Sequence, residues 1–224
     1  MAFAPRGFVP YRHLSGAVNP STRRYRTHAN NKKPIFVNDL VVLVSGSAAT
    51  AGFGVDRYTV GIDTTLGAGT ILGVVQGILD SNRKPLVFSQ PTRGPYLQAA
   101  TDGYLDVIVD PHQTYLAMVD GTASALMIGR YVGVTATAMG TAEGISNLGI
   151  GAAVTSNPIY VNISATTAPQ LHNPAFPLLC VGIAEFEDDV DEETLATVVN
   201  DFADGQLELL VVNGLFTGKG RTSR

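Results

Sequence analysis

The chain has one cysteine, no tryptophan and no acidic residue before Asp39. A single thiol excludes an intramolecular disulfide, so folding needs no oxidising compartment. Cys180 sits in the apolar run Leu178-Leu179-Cys180-Val181, which places it as a small hydrophobe of a buried strand. No stretch approaches the roughly 18 to 20 apolar residues of a transmembrane helix. No apolar block follows the first arginines, so no secretory signal is expected, and the chain reads as made in a cytoplasm. Charged residues are only 15% of the 224, but apolar content is ordinary at 45%, enough to build a core rather than leave the chain disordered.

Several chemistries lack their spacing. Gly67-Ala68-Gly69 with Gly73 precedes an apolar strand, whereas a dinucleotide loop follows a strand and opens a helix. None of His13, His28, His112 and His172 stands at ligand spacing from another histidine or from Cys180, so no metal is expected. No Gly-x-Ser-x-Gly occurs, and the acidic stretch near residue 190 lacks the Asp-x-Asp-x-Asp-Gly pattern of a calcium loop. The expectation is a protein with no cofactor and no catalytic residues, not an enzyme.

What is present is an asymmetry of charge. The first 34 residues carry seven bases (Arg6, Arg12, Arg23, Arg24, Arg26, Lys32 and Lys33) and no acid, while the remainder holds 8 bases against 19 acids. Phe3, Phe8, Tyr11, Leu14 and Tyr25 lie among those bases, so the segment can anchor in apolar pockets as well as attract charge. Prolines, glycines and the absence of any period predict an extended, irregular arm over 1–34. Fully extended, such an arm spans about 110 Å, against a body roughly 40 Å across.

From Ile35 the texture becomes β. Runs at 35–37, 40–44, 57–61, 70–78, 86–89, 104–109, 114–119, 128–136, 158–164, 178–186 and 207–213 are separated by Gly-, Pro- and Asn-rich turns. Many short strands of this kind predict a mainly β body over 35–214, an antiparallel barrel or sandwich. One segment departs from it. Leu195, Val198, Val199 and Phe202 fall on one face of a short helix, with Asp191 as its N-cap and Gly205 as its stop. Residues 215–224 read as a flexible basic tail. The acidic cluster Glu185, Glu187, Asp188, Asp189, Asp191, Glu192 and Glu193 offers three readings: a solvated turn, a docking patch for the basic arm of a neighbouring copy, or a metal site.

The opening Gly7-Phe8-Val9-Pro10-Tyr11-Arg12-His13-Leu14-Ser15-Gly16 resembles the start of a family of tailed-bacteriophage capsid decoration, or cement, proteins. Arg23-Arg24-Tyr25 and the strand and acidic turn Ile35-Phe36-Val37-Asn38-Asp39 are similar to that family's next elements, with Asn38 where the family often has Gly. Gly73-Val74-Val75-Gln76-Gly77, Tyr104–Asp110, Tyr115–Asp120, Ile128-Gly129, Gly144–Leu148 and Leu210–Asn213 continue the resemblance in order.

The resemblance implies a non-enzymatic protein of the outer capsid surface that bridges major capsid subunits. Neighbouring copies are further partners, and neither membrane nor specific nucleic acid is one. On this view Arg6, Arg12, Arg23, Arg24 and Arg26 pair with carboxylates of the capsid or of another copy, and Phe3, Phe8, Tyr11 and Leu14 fill its pockets. His13 and Tyr25 belong to the same contact. Deleting 1–33 is then expected to leave a folded body. The alternatives are a receptor- or glycan-binding β module of a virion, and a β-barrel that clamps nucleic acid with its arm.

Overall fold

A computed structural model of the chain describes residues 7–16, 19–27, 33–45, 53–57, 71–86, 96–120, 127–136, 148–154, 178–184 and 206–212. They form thirteen strands: β1 (Val9–His13), β2 (Thr22–Arg26), β3 (Ile35–Phe36), β4 (Leu40–Ser45), β5 (Phe53–Arg57), β6 (Ile71–Leu79), β7 (Tyr96–Leu97), β8 (Tyr104–Ile108), β9 (Gln113–Asp120), β10 (Tyr131–Ala136), β11 (Leu148–Val154), β12 (Leu178–Ile183) and β13 (Gln206–Val211). The fold is mainly β with nearly all pairings antiparallel, as the sequence predicts. The helix expected over 191–205, the strand at 158–164 and the tail 215–224 lie outside the described residues. Among the described residues no helix is long and apolar enough to cross a membrane.

The first sheet closes on itself. β9 pairs with β13 on one side and in parallel with β11 on the other, and β11–β10, β10–β12 and β12–β13 complete the circuit. Closure of this barrel removes the unpaired edges an open sheet would expose. Alternate residues point inward, among them Tyr115, Ala117 and Val119 of β9, Leu178 and Cys180 of β12, and Leu207 and Leu209 of β13. Because β11 takes only the end of β9, the start of that strand is open to a further partner, and β1 occupies it.

The second sheet runs β2-β8-β6-β4-β5, and a parallel bridge between Thr27 and Val55 brings its outer strands together. Its interior holds Val41, Val55, Leu72, Val75, Leu105 and Val107. The opposite face of the same strands sends Leu40, Ile71, Val74 and Ile108 into the barrel's core. β6 is therefore buried on both faces over most of its length, which explains why it is apolar at every position but Gln76. Packing there leaves no room for a side chain at Gly73, where a Cβ would lie 1.9 Å from the Ile108 carbonyl oxygen.

A tight turn carries the chain from the short strand β3 to β4. Asn38 has φ 68°, in the left-handed region that Asn tolerates better than most residues. Asp39 follows, fully buried; its Oδ2 accepts the Phe36 N–H at 2.8 Å and lies 2.7 Å from Arg57 Nε. Arg57 Nη2 donates to Oδ1 at 3.0 Å, and the guanidinium lies over the Phe36 ring, which stacks on Tyr96. A charge this deep is tolerated because it is paired and hydrogen-bonded.

The N-terminal segment corrects the sequence reading. Residues 7–16 and 19–27 do not form an arm separate from a body that starts at 35. β1 pairs with β9 and β2 with β8, so both sheets contain N-terminal strands. Phe8 is fully buried in the barrel's core and its N–H donates to Asn38 O at 2.8 Å. The physical reason for the miss is position: an edge strand is covered on one side only, and Pro10 and a bulge between Pro10 and His13 remove what alternation is left.

Candidate functional site

The N-terminal strands present two kinds of surface. Along β1 and just beyond it, Val9, Tyr11 and Leu14 are 38%, 50% and 51% exposed. Val9 and Tyr11 alternate with Pro10, so they share the outward face, while Phe8 points into the core. Arg12 holds this strand down. Its Nε and Nη2 each lie 2.6 Å from the two carboxylate oxygens of Glu208 on β13, a bidentate contact with a buried acid. Those hydrogen bonds, then the charge of Glu208, raise the Arg12 guanidinium above its ordinary value. The Arg12 carbonyl also accepts from Gln113 Nε2 and Thr114 Oγ1, so β1 is tied through side chains where the ladder is broken.

β2 is held by charge across the ladder. Arg24 stands opposite Asp106 and contacts it through Nε and Nη2 at 2.8 and 2.9 Å. Arg26 Nη2 donates to Asp102 at 2.9 Å. Both pairs are exposed, so they set register more than stability. Arg23 is exposed beside an open groove lined also by Thr22, Gln76 and Gly77, and Tyr25 is half-buried against the second core.

These contacts revise the roles expected for the segment. Arg12, Arg24 and Arg26 were expected to seek carboxylates on another chain, yet Glu208, Asp106 and Asp102 of this chain hold them. Phe8 fills this protein's own core rather than an external pocket. Tyr11 and Leu14 remain outward-facing. Phe3, Arg6 and the acidic cluster Glu185, Glu187, Asp188, Asp189, Asp191, Glu192 and Glu193 lie outside the described residues.

At the end of β1 the structure assembles a cluster that linear spacing did not reveal. Pairing of His13 with Gln113 sets His13 beside the β8–β9 turn Asp110-Pro111-His112, with the two imidazole centroids 5.9 Å apart. His13 is almost entirely buried, and its Nε2 lies 3.1 Å from Asp110 Oδ1. Its Nδ1 accepts the Ser15 backbone N–H at 3.2 Å and lies 2.8 Å from Ser15 Oγ. His112, 63% exposed, places Nδ1 3.7 Å from the same Asp110 oxygen. Asp110 Oδ1 accepts the His112 backbone N–H at 3.0 Å and Oδ2 the Ser21 N–H at 3.1 Å. Burial pushes the Asp110 carboxyl up, but these two backbone donors and His13 outweigh it and leave the group below its ordinary value.

Cys180 plays no visible part at either surface. It is fully buried in the barrel, and burial pushes its thiol up to about 11, so it packs as a neutral hydrophobe. Comparison with protein-family models, curated proteins and solved structures finds no match.

Proposed function

We propose that the chain is a virion structural protein, a capsid decoration protein that binds the outer surface of a phage head and bridges major capsid subunits without catalysing a reaction. The observation that carries this reading is the coincidence of sequence and exposure at Gly7–Gly16. The stretch that resembles the family's opening is an edge strand, pinned inward by Phe8 and Arg12 and presenting Val9, Tyr11 and Leu14 outward. Among the described residues β1 pairs with β9 alone, the kind of edge to which a strand or loop of a partner adds. Asn38 stands where the family often has glycine, and its left-handed backbone is one that glycine adopts readily.

The contact so proposed differs from a basic strap. With Arg12, Arg24 and Arg26 internally neutralised, docking rests on an aromatic and aliphatic patch, and capsid binding is less sensitive to salt than seven free bases would make it. Tyr11→Ala combined with Leu14→Ala tests the reading on heads assembled without the chain. Because both side chains are exposed, thermal melting stays unchanged while affinity falls. A lost hot-spot contact costs about 2 kcal/mol, or roughly 30-fold in Kd. Unchanged co-sedimentation of the double variant with heads would sink the proposal.

A further inference from the structure

We propose that His13, Asp110 and His112 form a binding site for a borderline divalent transition-metal ion of the Zn2+ type. The inference rests on the cluster's own geometry and is independent of the capsid reading. Ligands about 2.0–2.1 Å from a tetrahedral zinc ion are themselves about 3.3 Å apart. The donor atoms here already approach that spacing: His13 Nε2 and His112 Nδ1 lie 3.1 and 3.7 Å from Asp110 Oδ1, and all three fall within 4.8 Å of one another. Two imidazoles with one carboxylate favour zinc and its neighbours over the hard cations Ca2+ and Mg2+, which take oxygen ligands.

A second observation points to a ligand. His13 Nε2 is inaccessible to solvent and, although close to Asp110, makes no aligned hydrogen bond with it. The side chain is 6% exposed and directed at the carboxylate and His112. The nitrogen's contact with the Asp110 carboxylate is thus a poorly aligned one, and a metal ion held between the two would satisfy both.

The surroundings supply the supports a metal site requires. Ser15 Oγ, 2.8 Å from His13 Nδ1, can accept the ring proton when Nε2 binds the metal. Metallation then shifts the imidazole proton from Nε2 to Nδ1, and the Ser15 N–H contact gives way to one through its hydroxyl. Asp110 keeps its backbone donors from His112 and Ser21, which fix the carboxylate's orientation. Three protein ligands leave a fourth position open to solvent. The ion would clamp the end of β1 to the β8–β9 turn, beside exposed Leu14, whose N–H donates to His112 O at 2.9 Å.

The test is calorimetric titration of the untagged chain 1–224 with Zn2+, paired with the visible absorption of the Co2+ form. The expected result is saturable binding at one site, a tetrahedral Co2+ spectrum, and a higher Tm in zinc. His112 is exposed, so His112→Ala folds normally, and affinity in it falls by more than the about 10-fold that loss of even an outer partner costs. Ser15→Ala weakens binding by about 10-fold while retaining the tetrahedral spectrum. Absence of saturable binding, or full affinity in His112→Ala, overturns the assignment.

Discussion

Deletion of residues 1–33 is expected to abolish cooperative folding. The truncation removes β1, β2 and Phe8, and it uncovers the start of β9 and one side of β8. Loss of a buried phenylalanine alone costs about 3–5 kcal/mol, against a total stability on the order of 5–15 kcal/mol for a typical protein. Removing two edge strands adds broken ladders on both sheets and leaves apolar edges prone to self-association. Circular dichroism melting of the truncated chain checks this, with no sigmoidal transition expected. A cooperative melt within a few degrees of the full chain would restore the independent body that the composition of 1–34 suggests.

Arg57→Ala carries the second large effect. It strands the Asp39 carboxylate, which has no solvent exposure, beneath Phe36 and the β3–β4 turn. Removing one member of a buried pair costs about 3–5 kcal/mol, and each kcal/mol shifts Tm by about 2–4 °C at this chain length. The expected fall is therefore about 6–20 °C. Replacing both members by apolar residues does not fully rescue, because Asp39 also accepts the buried Phe36 N–H. That orphaned donor costs about 1–3 kcal/mol, so the double variant Asp39→Leu/Arg57→Met melts between wild type and Arg57→Ala. An Arg57→Ala chain that melts like wild type would show that the pair does not hold the turn.

Strands with one covered face were legible in the sequence. Tyr104-Leu105-Asp106-Val107 alternates because one side faces a core, and Ile71–Leu79 is apolar at all but Gln76 because both sides are buried over most of its length. β1 and β2 were not legible, since their burial patterns follow no period. β11, Leu148–Val154, is diluted by glycine and alanine, which carry little β preference. Of the expected strand at 57–61 only Arg57 is described, as the last residue given for Phe53–Arg57; 58–61 lie outside the described residues.

The candidate sites follow the same division. Composition singled out the aromatic–basic series of the first 26 residues but could not say which members face inward. Once Val9–His13 is a strand, period 2 separates outward Tyr11 from the core-facing Phe8 just before it. The arginines' partners depend on register: Arg24 meets Asp106 because β2 lies antiparallel on β8. His13 and His112 are far apart in sequence, and only the β1–β9 register joins them. A histidine scan by local spacing has no access to that information.

The central claim, that the N-terminal residues are structural strands rather than a detachable strap, is tested most directly by native-state amide hydrogen exchange of the full chain. The amides of Phe8, Leu14 and Thr27 donate to Asn38, His112 and Gly103 carbonyls at 2.8, 2.9 and 2.9 Å. They are predicted to exchange orders of magnitude more slowly than an unstructured peptide, with Thr27 protected alongside the amides of β8. Exchange of all three at the unstructured rate would contradict the claim.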